Sequence, residues 1–168
     1  MKKLVATLAV LALLAVPALA YGDDSDSGRS LVRSGMVGST PGVVIAGIPA
    51  GGAPWTIDER TVARVRADGR ITINVRGLLL TNTGDPALDG TTGGIPAVFA
   101  SLTCAGATPT VIDTASVPLS ADGDARIRDT VSLPDTCFAA AVLVRGDRAG
   151  DGPTEGAAPD PWFAVTGF

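Results

Sequence analysis

The stretch from Thr61 to Leu80, T-V-A-R-V-R-A-D-G-R-I-T-I-N-V-R-G-L-L-L, constrains the fold more than any other. Two β-branched runs of period 2 flank Asp68-Gly69, the pattern of an antiparallel hairpin. Loop length decides which residues share a face. A two-residue turn at Asp68-Gly69 would set Arg66 and Arg64 opposite Ile71 and Ile73. A three-residue loop, Ala67-Asp68-Gly69, pairs Val65 with Ile71, Ala63 with Ile73 and Thr61 with Val75. Because a one-residue slip exchanges every side chain between faces, the register that segregates apolar from charged residues is expected. It requires a left-handed residue after a type I turn, and Gly69 takes that conformation without a Cβ clash. Arg64, Arg66, Arg70, Thr72, Asn74 and Arg76 then occupy the opposite face.

The rest of the chain has the same character. Gly and Pro are frequent and spread between short β-branched runs, and almost no apolar stripe recurs at helical spacing. Leu31–Val37 reads as a first edge strand, Val43–Ala46 as a second, and Trp55–Ile57 as a strand anchored by Trp55 in the core. Ala97–Cys104 places Val98, Ala100, Leu102 and Cys104 on one face. Val111–Ile112 and Val117–Leu119 are short strand pieces. The string Ala121-Asp122-Gly123 echoes Ala67-Asp68-Gly69 and predicts a second hairpin tip. In the strand that follows, parity turns Asp129 inward, which a bulge near Arg128-Asp129 would relieve. Phe138–Val144 reads as a central strand and Trp162–Phe168 as a closing one with Phe163 and Val165 on one side. Segments 81–96 and 145–161 are long loops, a length often tied to function. The expected fold is all-β: one antiparallel β-sandwich, immunoglobulin-like in the broad sense, with seven to nine strands.

Residues 1–20 have the layout of a secretory signal peptide, with Lys2 and Lys3, an apolar run to Val16, and Ala18-Leu19-Ala20 as the cleavage site. Residues 21–30, Y-G-D-D-S-D-S-G-R-S, predict a disordered acidic lead-in, and residues 31–168 a single domain. The chain is thus expected to be exported and free after cleavage near Ala20, with no membrane span. Removal of both lysines leaves 11 Arg of the 13 cations against 17 carboxylates, a net charge of −6. Such a balance does not suit a general nucleic-acid binder.

Composition also restricts chemistry. There is no His, and no Lys remains after cleavage. This removes Ser-His-Asp and Cys-His catalysis, Ser-Lys dyads, Schiff bases and the usual zinc-hydrolase sites. General acid–base work would fall to Glu59, Glu155, Tyr21 or the Asp residues, most of which sit beside Gly or Pro as turn residues. An enzyme is therefore not expected. Cys104 and Cys137 end one predicted strand and begin another, and in an exported chain such a pair predicts a disulfide. Asp147, Asp151 and Glu155 could offer oxygens to calcium from one loop, although the spacing is not that of an EF-hand and Arg148 intrudes. The hairpin face of Arg64, Arg66, Arg70 and Arg76 could grip an acidic polymer or a partner's carboxylates. Its alternative is a solvated sheet face whose Arg stems cover apolar area.

Several strings together resemble a family of uncharacterised secreted bacterial β-rich proteins with a Cys pair. They are Gly51-Gly52-Ala53-Pro54-Trp55, the Arg66–Leu80 string, Pro118–Ile127, and the ending from Trp162 to Gly167. The resemblance implies a small exported β-domain and carries no activity, ligand or catalytic residue. The functional expectation is a non-catalytic secreted module with a structural or protein-interaction role, its partner an extracellular protein or surface. The alternative is a calcium- or small-ligand-binding domain.

Overall fold

The computed structural model describes residues 28–106, 108–150, 152–153 and 159–166. The predicted signal peptide and most of the acidic lead-in lie outside the described residues. Among those described there is no helix, and all thirteen strands pair antiparallel. In chain order they are β1 (Ser30–Gly38), β2 (Val44–Ile45), β3 (Ile48–Pro49), β4 (Trp55–Thr56), β5 (Val62–Arg66), β6 (Arg70–Val75), β7 (Leu79–Leu80), β8 (Ala97–Ala105), β9 (Thr110–Asp113), β10 (Val117–Pro118), β11 (Ala125–Thr130), β12 (Phe138–Asp147) and β13 (Trp162–Thr166). Nine form one strongly curled sheet in the order β10-β8-β12-β13-β1-β5-β6-β11, with β9 also on β8. The count passes the expected seven to nine because four two-residue strands form separate ribbons, β2 with β3 and β4 with β7.

The hairpin has the register that the faces demand: Val65 lies opposite Ile71 and Ala63 opposite Ile73. Thr61, Ala63, Val65, Ile71 and Ile73 are wholly buried and Val75 nearly so. Gly69 has φ +81° and donates its N–H to the Arg66 carbonyl, closing the three-residue loop. A Cβ on Gly69 would also collide with the carbonyl of Val131, whose N–H bonds to the Gly69 carbonyl. The tip is therefore held by close backbone approach as well as by its turn.

β1 is not an edge strand. Its first part pairs with β5, from Ser30 to Gly35, and its last residues, Met36–Gly38, pair with β13. It thus joins an open half (β1, β5, β6, β11) to a covered half (β13, β12, β8 with β9 and β10). The inner faces of both halves meet in one core, with Val32, Val65, Ile73 and Ile127 from the first and Val98, Leu102, Val144 and Phe163 from the second. Trp55 anchors one end of this core, its ring stacked on Phe163 at 4.1 Å between centroids. A bulge at Val144/Arg145 shifts the β12–β13 register. As a result Phe163 and Ala164 enter the main core, while Trp162 and Val165 join a second cluster; Phe163 and Val165 do not share a side as alternation predicts.

That second cluster lies on the outer face of the covered half. Ile48, next to Ile45 on the β2–β3 ribbon, packs with Ala141, Leu143, Trp162 and Val165. β8 is also buried on both faces from Ala97 to Cys104. The disulfide Cys104–Cys137 forms, with Cα atoms 4.9 Å apart. Closing a loop of about 34 residues stabilises by about 3.5–4 kcal/mol on the chain-entropy account.

The Ala121-Asp122-Gly123 turn closes as a second tip, Gly123 donating its N–H to the Ser120 carbonyl and Ser120 donating to the Asp124 carbonyl, both at 2.9 Å. Beyond it the strands part, β10 pairing with β8 and β11 with β6, so the tip links the two halves. It docks on the segment just after β6, Gly123 accepting from Leu78 N–H and Asp124 from Gly77 N–H, both at 2.9 Å. One local expectation is corrected. No bulge interrupts β11: Arg128 faces Thr72 and Asp129 faces Ile71 in continuous register. Asp129 is relieved instead by accepting the Ala115 N–H at 2.9 Å and the Thr130 N–H at 2.7 Å.

Candidate functional site

Strict alternation in the open half drives one set of side chains inward and leaves the other on a single outer face. β5 contributes Arg64 and Arg66, and β6 contributes Arg70, Thr72 and Asn74, with Arg76 just beyond its end. The register extends this face in both directions. Arg33 of β1 lies opposite Arg64, while Arg128 and Arg126 of β11 lie opposite Thr72 and Asn74. Seven of the chain's 11 arginines thus share one exposed surface. Arg64 also faces Thr72, and Arg70 faces Thr130, so hydroxyl groups stand beside cations on this face.

Of the carboxylates bordering this face, Asp68 pairs with one of its arginines and the others are engaged elsewhere. Asp58 accepts from Arg60 Nε at 3.0 Å and from its terminal nitrogen at 2.6 Å. That side-chain hydrogen bond, with the Arg60 backbone N–H, holds the Asp58 carboxyl well below the usual carboxylate range. Asp68 caps the Arg70 N–H at 3.1 Å and lies 3.7 Å from the Arg70 guanidinium. Asp124 and Asp129 bind backbone N–H groups. Among the described residues, Arg33, Arg64, Arg66, Arg76, Arg126 and Arg128 form no ion pair within 4.0 Å.

Shallow grooves run between these side chains. One of about 440 Å³ lies among Arg70, Thr72, Arg128, Asp129 and Thr130. Another of about 600 Å³ lies among Asn74, Arg76, Asp124 and Arg126, and a smaller one of about 210 Å³ among Arg60, Arg64, Thr72 and Asn74. Guanidinium groups so placed can make charge-assisted, bidentate hydrogen bonds to carboxylate, sulfate or phosphate. The hairpin arginines are legible from alternation alone. Arg126 and Arg128 alternate just as plainly with Ala125 and Ile127, but their membership of the face depends on β11 pairing with β6, and no local pattern states that pairing.

Arg145 behaves differently. It is 3% exposed on the outer face of the covered half. Its Nε donates to the Asp160 carbonyl at 2.8 Å, and a terminal nitrogen reaches Ser101 Oγ at 3.2 Å and Asp113 at 3.4 Å. The Phe99 ring lies 4.8 Å from the guanidinium carbon. Burial pushes this guanidinium below its ordinary value, opposed by the charges of Asp113 and Asp160. Its hydrogen-bonding capacity is directed inward, to the fold.

Of the calcium candidates, Asp147 is described and is 1% exposed. Its two carboxylate oxygens accept the N–H groups of Gly150 at 2.7 Å and Gly152 at 2.9 Å. Asp151 and Glu155 lie outside the described residues. Among the described residues no group of three or more His, Cys, Asp or Glu is placed to hold a metal ion. In the long loop 81–96, Asp89 accepts both the N–H and the hydroxyl of Thr83, and the N–H contact leads in lowering its pKa. Asp85 accepts the Ala87 N–H, so these carboxylates shape their own loop. Among the described residues no helix is long and apolar enough to cross a membrane. Compared with known proteins, the chain matches no family model, no curated protein and no solved structure.

Proposed function

We propose that the chain is a non-catalytic secreted module that holds an extracellular partner through the arginine face of its open half. The observation that carries this reading is the concentration of seven arginines, six without an ion pair among the described residues, on one sheet face of an otherwise acidic protein. A field of one sign on one face steers a partner of opposite sign and fixes its orientation. The absence of His, and of Lys beyond the predicted signal, supports a binding role over a catalytic one. The disulfide, and the absence of a membrane-crossing helix among the described residues, are compatible with an extracellular location. The finer architecture proposed is an immunoglobulin-like sandwich in the broad sense, supported by two halves that share one core and one strand, β1.

The test is chromatography of the mature chain on a sulfonate resin at pH 7. Despite its net negative charge, the protein should be retained at low salt and released as salt rises. Arg64→Gln/Arg128→Gln should elute markedly earlier with an unchanged melting temperature. Flow-through of the native chain, or identical elution of both proteins, would show that the face does not bind anions.

A further inference from the structure

We propose that the ligand of this face is an acidic polysaccharide, a linear uronate-bearing chain, laid across the strands of the open half. The inference rests on the anion-binding reading above and adds the class of ligand.

Extent comes first. From Arg33 on β1 to Arg128 on β11 the face crosses three strand intervals, about 14 Å, and from Arg70 to Arg76 it runs about 20 Å along β6. That is a surface for an extended chain. No single small anion would engage cations spread so widely. Spacing comes second. Arg33, Arg64, Thr72 and Arg128 stand side by side on β1, β5, β6 and β11, and Arg70 and Thr130 lie in a parallel row. A ligand that carries both charge and neutral hydroxyls meets guanidinium groups and hydroxyl groups along these rows. Acidic polysaccharides have that combination, since each uronate also carries free hydroxyls. Arginine supplies the planar fork that a carboxylate accepts in two hydrogen bonds.

Among the described residues the face also lacks what a nucleic acid requires. Single strands are held by stacking bases on aromatic rings. Trp55, Phe99, Trp162 and Phe163 are all buried in the fold. Phe138 is exposed, but it lies on β12 opposite Ala105, in the covered half.

Finally, Arg33 faces Arg64 directly on adjacent strands, a like-charge pair that disfavours the folded sheet. A carboxylate inserted between them relieves this repulsion. Binding should therefore raise the melting temperature, because the ligand recognises only the folded face.

The experiment measures affinity and melting temperature of the mature chain with three probes: polygalacturonate, neutral dextran of similar length, and a single-stranded oligonucleotide. Polygalacturonate should bind, raise the melting temperature and weaken with salt, while dextran does neither. The oligonucleotide should bind at least about tenfold more weakly. Arg64→Gln/Arg128→Gln should lose about tenfold or more of polygalacturonate affinity while staying folded, whereas Arg148→Gln, exposed just beyond β12 in the covered half, should not. If the double variant unfolds, Arg33→Gln alone serves, since it removes a like-charge pair. Retention on the sulfonate resin without polygalacturonate binding would overturn the polysaccharide assignment and leave the anion-binding face standing. Failure in both assays would remove both readings. Equal or tighter oligonucleotide binding would replace the polysaccharide by a nucleic acid.

Discussion

The two halves of the curled sheet use arginine in opposite ways. In the covered half Arg145 is buried, and Ser101, Asp113, the Asp160 carbonyl and the Phe99 ring surround its guanidinium. In the open half six arginines face solvent without an ion-pair partner among the described residues. A buried charge survives only when its hydrogen bonds are met, so Arg145 works for the fold. An exposed charge contributes little to stability and remains available to a partner. Sheet coverage decides between these roles. The β2–β3 ribbon packs over the covered half, while the outer face of the open half is left to solvent.

Substitutions that treat the halves alike should expose this difference. The largest effect is expected at Arg145→Ala, which removes the buried cation from a half-buried pair and leaves its polar neighbours unmet. It should cost about 3–5 kcal/mol by denaturant titration, and a cost below about 1 kcal/mol would erase the contrast with the open half. Gly69→Ala should follow at about 2 kcal/mol or more, because the left-handed φ and the Val131 carbonyl both oppose a Cβ. Asp68→Ala, one residue earlier, should cost less than about 1 kcal/mol. Arg64→Ala should change stability by no more than about 0.5 kcal/mol, with any shift towards a gain as Arg33 loses a like-charged neighbour. A penalty at Arg64 matching that at Arg145 would mean that the open face is structural.

The smallest effect concerns acid. Asp58 and Asp89 have folded-state pKa values below their ordinary one, lowered by the Arg60 side chain and the Thr83 N–H respectively. A depressed carboxylate stabilises above its unfolded pKa, about 3.9, and that contribution fades as pH falls through the lower folded value. Melting temperature should therefore drop below about pH 4, and Asp58→Asn or Asp89→Asn should blunt the drop. Arg145 keeps its charge throughout this range.

The open half was far more legible in the sequence than the covered one, and the reason is again coverage. A strand buried on one face alternates, as Arg64, Val65 and Arg66 do, and alternation specifies both register and outer residues. A strand buried on both faces does not. The run A-V-F-A-S-L-T-C of β8 and the apolar start of β12 conceal which residues meet which layer. The inward set Val98, Ala100, Leu102 and Cys104 could still be read. Phe99 beneath Arg145 could not, because its partners come from β12 and the segment before β13. Nor could the Phe163 bulge, which breaks parity to fill the core beside Trp55. The arginine face was half visible: its hairpin members follow from local pattern, whereas Arg33 and Arg126 join through pairings made far along the chain.

Pairing of Met36 with Thr166 ties the first strand of the sheet to the last. This sets an order of assembly. The β5–β6 hairpin can form from contacts between near neighbours, but β1 lacks its second partner until residue 166 has emerged. Contacts between residues so distant in sequence are slow to form, since a long loop must close before they contribute. Joining the halves is then a late event for any chain delivered amino end first. A chain cut before Trp162 would leave β1 and β12 each with an open edge, a template for pairing with other chains.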